Sequence, residues 1–294
     1  MCYINFFFFF KLIYKMLTTR KKTKSKSFIN KFFDKIFVIS LYDNFDRWNK
    51  VEKQFKNRKI DIERFITVDG RCKNQTSIQC IQKLETFKLM FDVKISNKSE
   101  INLQTLTPAV SLTLSTVLLL RQMVKNNWKY MLLCEDDINL VNNFDNKFKQ
   151  GIKEIGDYKW DLLYLGCGGY CGSKGVSYEQ TAINKYPSTL ASSEDDEYYV
   201  EVKDDLRTPC DTDCPSLSEN ISHATYIGGT WCYAYSLAGA KKVLKYIDND
   251  VGQHIDVLLK QFGKKGNLKR LAFNPPIAYH EDGFIRTSTD IPWV

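Results

Sequence analysis

Tyr130-Met-Leu-Leu-Cys-Glu-Asp-Asp137 is the stretch that decides the fold. Its first five residues are apolar or aromatic, too short a run for a helix and bounded by charge, so they read as a buried strand. The strand runs straight into Glu135, Asp136 and Asp137. Three adjacent carboxylates repel one another, a cost that a cation among them removes. In open α/β sheets, ligands bind beyond the carboxyl ends of the strands, which is where these acids fall. The plainer alternative is a solvated acidic turn or a helix N-cap.

Working outward, Lys35-Ile-Phe-Val-Ile-Ser-Leu41 is a second buried strand, and 43–57 is a helix with Trp48, Val51 and Phe55 on one side. Strand 60–68 stops at Asp69-Gly70, a turn dipeptide. This strand–helix–strand opening predicts a parallel sheet covered by helices. Residues 71–104 read as polar and irregular, and Pro108 opens an apolar helix over 109–126. Beyond the acids, Trp160-Asp-Leu-Leu-Tyr-Leu165 is a strand ending at Gly166, Gly168 and Gly169. Residues 171–222, with the acidic run 194–197, show no periodicity; a loop this long is usually functional or mobile. A strand over 230–236 and a helix over 238–247 follow. No repeat or second boundary is visible. The expectation is an α/β domain with a Rossmann-like, mostly parallel sheet over 35–294, an irregular insert at about 171–222, and a basic, disordered tail over 1–34.

Charge supports that division. The formal charge is +8, and residues 1–35 hold nine basic groups and one acid, which is the entire excess. A neutral body with a basic arm argues against nucleic acid as a partner. The arm is either solvated or makes a peripheral contact with an anionic membrane, for which the phenylalanine run 6–10 beside lysines is suited. That run is too short to span a bilayer and lacks the marks of a signal peptide; an upstream extension before a start at Met16 is the other reading. The expected location is cytoplasmic, or membrane-associated on the cytoplasmic side. The nine cysteines read as free thiols with room for a loop disulfide, since neither Cys167/Cys171 nor Cys210/Cys214 has zinc-site spacing. Sequons occur at Asn74, Asn97 and Asn220.

Four segments, in order, resemble glycosyltransferase family 25, the group of bacterial lipooligosaccharide galactosyltransferases and collagen galactosyltransferases. They are 37–48 with its Asp46-Arg47 pair, Phe65-Ile-Thr-Val-Asp-Gly70, Tyr130–Asp137, and Gly229-Thr-Trp-Cys-Tyr-Ala-Tyr235 followed by Gly239-Ala-Lys-Lys-Val-Leu244. His254-Ile-Asp256 and 276–291 fit more loosely. Where the family usually has Gly-Cys and Ser-His, this chain reads Pro108-Ala-Val-Ser-Leu-Thr-Leu-Ser-Thr116, without the histidine. The 171–222 insert has no obvious counterpart.

The resemblance implies a GT-A fold and an inverting transfer of a hexose, galactose or glucose, from a UDP-sugar to a hydroxyl on a glycan or protein acceptor, as in lipopolysaccharide biosynthesis. It implies a divalent cation, Mn2+ or Mg2+, with Asp137 as main ligand, Glu135 beside it and His280 completing the set. Asp136, Asp69 and Arg47 would hold the sugar nucleotide, and Asp256 would be the general base, with His254 as fallback. The alternative is an inactive relative that binds sugar nucleotides or partners.

Overall fold

The computed structural model describes residues 27–72, 75–96, 103–170, 216–224, 226–264 and 267–280. The helices are α1 (Phe28–Phe32), α2 (Phe45–Asn57), α3 (Ser77–Phe91), α4 (Leu103–Lys125), α5 (Phe144–Ile155), α6 (Leu237–Ile247) and α7 (Ile255–Lys264). The strands are β1 (Lys35–Ser40), β2 (Glu63–Ile66), β3 (Tyr130–Glu135), β4 (Ile138–Leu140), β5 (Leu162–Tyr170), β6 (Ile221–His223), β7 (Tyr226–Ser236), β8 (Arg270–Phe273) and β9 (Ala278–His280). Seven strands form one sheet in the order β2-β1-β3-β7-β5-β8-β6, and β4 and β9 form a separate pair.

The α/β class holds, but the sheet is mixed and not mostly parallel. β1 runs parallel to β2 and β3, and β5 to β8. β7 runs antiparallel to both β3 and β5, and β6 antiparallel to β8. Apolar patterning locates a buried strand without fixing its direction, and β7 enters the sheet between β3 and β5 after the long excursion that follows β5. β6 begins at Ile221, at the boundary of the stretch read as an irregular insert.

β3 lies near the middle of the sheet and is buried on both faces. Met131 and Leu133 join a cluster with Val110, Leu114 and Val117 of α4 and Val243 of α6. Leu132 and Cys134 join the opposite cluster with Val51 and Phe55 of α2 and Phe144 and Phe148 of α5. The period of two in the strand assigns its residues to these two cores. α4 is long and apolar enough over Leu106–Lys125 to cross a bilayer, but it packs here as a core helix, with Leu114, Val117, Leu119, Leu120 and Met123 fully buried.

Several elements fell outside the sequence expectation: α5, β4, β6, β8 and β9 were not assigned, α4 starts at Leu103 and so holds Pro108 inside it, not at its opening, and α3 and α1 lie in stretches read otherwise. α3 lies in the stretch 71–104 read as irregular. Thr76 and Gln79 close a capping box at its start, so the start signal was present. Its apolar residues occupy two faces, Cys80, Leu84 and Phe87 buried and Ile78, Ile81 and Leu89 exposed, which erases the one-sided pattern by which a helix is recognised. α1 lies within the span assigned to the tail. Ile29 and Phe33 are buried, and Phe32 stacks on Tyr130 at 4.7 Å, so residues 28–33 belong to the body. The phenylalanine run 6–10 and the acidic run 194–197 lie outside the described residues.

Candidate functional site

The parallel pairing of β1 with β3 sets Ile39 opposite Glu135, which brings the loop after β1 alongside the three acids. Asn44, just before α2, donates its amide to Asp136 Oδ2 at 3.0 Å. This explains why the N-cap position of α2 has no side-chain cap: the asparagine amide is directed to the acid. One turn on, Arg47 Nη1 donates to Asp137 Oδ2 at 2.8 Å and lies 3.8 Å from Asp136 Oδ1. Asp136 and Asp137 are buried. On the other side of β3, Cys134 pairs with Cys232 of β7, so Thr230 comes level with the acids and its hydroxyl lies 3.5 Å from Glu135 Oε1. The next residue back, Gly229, donates its N–H to Asp256 Oδ2 at 3.1 Å, while Val257 N–H holds Asp256 Oδ1 at 2.8 Å. Asp256 is therefore a clamp between β7 and the first turn of α7, and its carboxylate joins the negative field acting on Glu135. His254 precedes α7 and accepts from Leu258 N–H through its carbonyl.

Loss of water around Glu135 pushes its carboxyl well above the ordinary range, and the charges of Asp137, Asp136 and Asp256 push the same way. Asp136 is also raised, first by burial and then by Asp137, against hydrogen bonds from Ser40 and Asn44 and the charge of Arg47. A carboxyl whose folded value is raised contributes its stability below the unfolded value, about 4.3 for glutamate. That contribution is lost as pH climbs through the folded value. Cation-free protein should therefore lose stability as pH rises from about 4.5 toward neutrality, and Glu135→Gln should flatten that loss and melt higher at neutral pH. Thermal unfolding of both proteins across this range checks it; parallel curves would remove Glu135 as the source.

Asp69 lies beyond β2, about half exposed, where Arg71 binds its carboxylate at 2.8 Å and Asp43 at 2.9 Å. Partial burial pushes Asp69 up, but the Arg71 hydrogen bonds outweigh it and hold the acid below its ordinary value. The loop is seated on α4 by small hydroxyl residues: Ser111 donates to the Val68 carbonyl, and Ser115 meets the Thr67 hydroxyl and accepts from Val68 N–H at 3.4 Å. Gly70 lies so close to α4 that a Cβ there would overlap the Thr107 carbonyl and Ser111 Cβ. Gly70→Ala should therefore cost about 1–3 kcal/mol, the usual penalty of overpacking, and displace Asp69. A lowered melting temperature is the readout, and an unchanged one would show that the loop shifts freely.

β9 places the backbone of His280 opposite Ile138, the residue after Asp137. Carboxylate oxygens are hard donors suited to Mg2+ or Mn2+, which take one or two from protein and the rest from phosphate and water. The three acids fit such a cation in chemistry. Among the described residues, no three of His, Cys, Asp and Glu converge as a ready-made metal site. A shallow cleft of about 600 Å3 lined by Asn57, Arg58 and Asn142 lies at the far end of α2, away from these groups.

The structure thus brings Glu135, Asp136, Asp137, Arg47 and Asp256 to one sheet edge and leaves Asp69 on the neighbouring loop. The sequence reading missed Asn44, Thr230 and Arg71. Asn44 looks like a routine helix cap, and Thr230 and Arg71 become partners only through strand pairing and loop closure. Cys72 and Cys80, which the sequence reading did not pair, form a disulfide behind that loop. Cys171, Cys210 and Cys214 lie outside the described residues.

Comparison with known proteins gives a consistent picture. The family model described as glycosyltransferase family 25 (LPS biosynthesis protein) matches residues 33–259, well over half of the chain. The match includes Arg47, Asp69, the three acids and Asp256, and stops short of His280. Bos taurus "Probable inactive glycosyltransferase 25 family member 3" is 28% identical over 160 residues, covering 51% of this chain and 24% of the relative. The matched segment is thus about a quarter of that curated relative's length.

Proposed function

The chain belongs to glycosyltransferase family 25, and from that premise we propose that it is an inverting, divalent-cation-dependent transferase of the GT-A kind. It would move galactose or glucose from a UDP-sugar to a hydroxyl of a glycan or protein acceptor. The observation that carries the reading is that Arg47 of α2 meets Asp137 in the row of acids at the carboxyl end of β3, with the anchored carboxylate of Asp256 on α7 acting on Glu135 in the same row. The strand order, with the acids at the end of a central strand beside the antiparallel β7, supports the GT-A assignment.

Asp137 would be the principal cation ligand, with Glu135 or Asp136 beside it and His280 returning on β9. A bound Mn2+ or Mg2+ would supply charge for the departing nucleoside diphosphate. Asp136 is fixed by Asn44, and Asp69 by Arg71, so both present oriented oxygens toward sugar or ribose hydroxyls. Asp256 takes the proton of the acceptor hydroxyl as its oxygen bonds to the anomeric carbon, while the bond from that carbon to the diphosphate oxygen breaks and its electron pair leaves with UDP. Both oxygens of Asp256 are held by backbone N–H groups, which orients the carboxylate and leaves lone pairs for this transfer.

A second reading has a specific motive: the bovine relative is named as probably inactive, and the alternative is a binding protein without turnover. Incubation with UDP-galactose and UDP-glucose in Mn2+, with and without acceptor glycans, separates the two. UDP release that depends on Mn2+ supports the transferase. UDP-sugar binding with no release supports the inactive relative, and neither binding nor release removes both.

A further inference from the structure

We propose that Arg47 is a transferable counter-ion, balancing Asp137 in the donor-free protein and leaving it for the donor's diphosphate when a divalent cation arrives. The inference rests on reading the acidic end of β3 as cation-binding. Three observations carry it. First, the partners holding the acids differ in kind: Glu135 is met by a hydroxyl and Asp136 by an amide with Arg47 standing off at 3.8 Å, whereas Asp137 takes the guanidinium of Arg47 as its direct hydrogen-bond partner at 2.8 Å. Second, the two cations exclude each other at this oxygen. A divalent ion binds a carboxylate oxygen at about 2.1 Å, which would set it within about 5 Å of the guanidinium and in strong repulsion. Third, Arg47 is able to leave. Its side chain is 27% exposed while that of Asp137 is 5% exposed, so the acid is fixed in the protein and the arginine reaches it from the solvent side.

The displaced guanidinium has a destination. Its planar fork fits two phosphate oxygens, and the diphosphate would lie beside the same cation. Cation binding would thus release an arginine for the nucleotide, and nucleotide binding would draw the arginine away from the cation's ligand. Linkage makes the two favour each other reciprocally. Arg47 opposes the cation alone and assists the nucleotide once the cation is present.

The test is a Mn2+ titration of the full chain, following the spin-resonance signal of free aquo-Mn2+, without nucleotide and then with UDP. Without nucleotide, Arg47→Gln should bind Mn2+ on the order of tenfold more tightly than the parent, because removing a charge this close to a carboxylate changes its cation affinity by at least that factor. In saturating Mn2+, the same variant should bind UDP on the order of tenfold more weakly, having lost a charge-assisted phosphate contact. Arg47→Met, which keeps the apolar stem and drops the charge, should give the same opposed pair of shifts and serves if the glutamine variant does not fold. An arginine that only braces α2 would not tighten Mn2+ binding when removed. Equal or weaker Mn2+ binding by the variants overturns the counter-ion role and leaves the cation site standing. No Mn2+ binding by parent or variants, even with UDP, overturns the cation reading and this inference with it.

Discussion

Asparagine in place of Asp137 is expected to abolish cation-dependent transfer while leaving the chain folded. The substitution preserves volume, and its amide oxygen still accepts from Arg47, so the local packing persists. What disappears is the negative charge that would hold the cation against the departing diphosphate. Loss of one well-placed electrostatic stabiliser costs about 10²–10³ in turnover, and loss of the cation itself costs more. Stability should change little, because the repulsion relieved among the three acids offsets the charge pairing with Arg47 that the amide forgoes. Turnover is read as UDP release in Mn2+, and folding as the melting temperature. Wild-type turnover in the variant would remove Asp137 from the site.

Asp256→Asn is expected to lower transfer by about 10²–10⁴, the range for loss of a general base, with donor binding intact. The structure sharpens this test. Asp256 is the second residue of α7 and accepts from Gly229 N–H across to β7, so its architectural task is a strand-to-helix clamp. An asparagine oxygen still accepts one of its two backbone hydrogen bonds, which limits the structural cost to about 1 kcal/mol. A purely architectural residue therefore predicts a slightly lower melting point and near-normal transfer. The base predicts near-normal melting and lost transfer. The rate to follow is transfer to an acceptor hydroxyl, because hydrolysis of the donor by water can use another base. Unaltered transfer would make His254, at the start of the same helix, the next candidate.

The parts of this molecule that were legible in the sequence share one physical property: they are determined locally. Tyr130 to Cys134 is a strand because it is short, apolar and flanked by charge, and Phe45–Asn57 is a helix because Trp48, Val51 and Phe55 recur at its period. The placement of Glu135, Asp136 and Asp137 at a strand's carboxyl end followed from the same reasoning. What was not legible depends on partners distant in sequence. The direction of β7 is fixed by pairing with β3 and β5, and no property of 226–236 alone encodes it. Thr230 becomes a partner of Glu135 only through that pairing. Arg47 reads as a nucleotide ligand from its resemblance, yet its partner in the folded chain is Asp137, ninety positions away. α3 was overlooked because both of its faces carry apolar residues, a case in which periodicity misleads even though the capping residues were correct.

The burial of β3 on both faces has a consequence for how the molecule breathes. Amides that exchange with solvent only on global unfolding belong to elements packed on all sides, whereas exposed loops open at little cost. β3 sits near the middle of its sheet between two hydrophobic clusters, so its backbone belongs to the last part of the structure to open. The acids at its end are tethered to that slow core. Asn44, Asp69 and Arg71 ride on loops whose opening involves far less of the fold. In the proposed transferase, entry and release of the donor would then proceed through opening of this rim while the charged floor of the site stays in register.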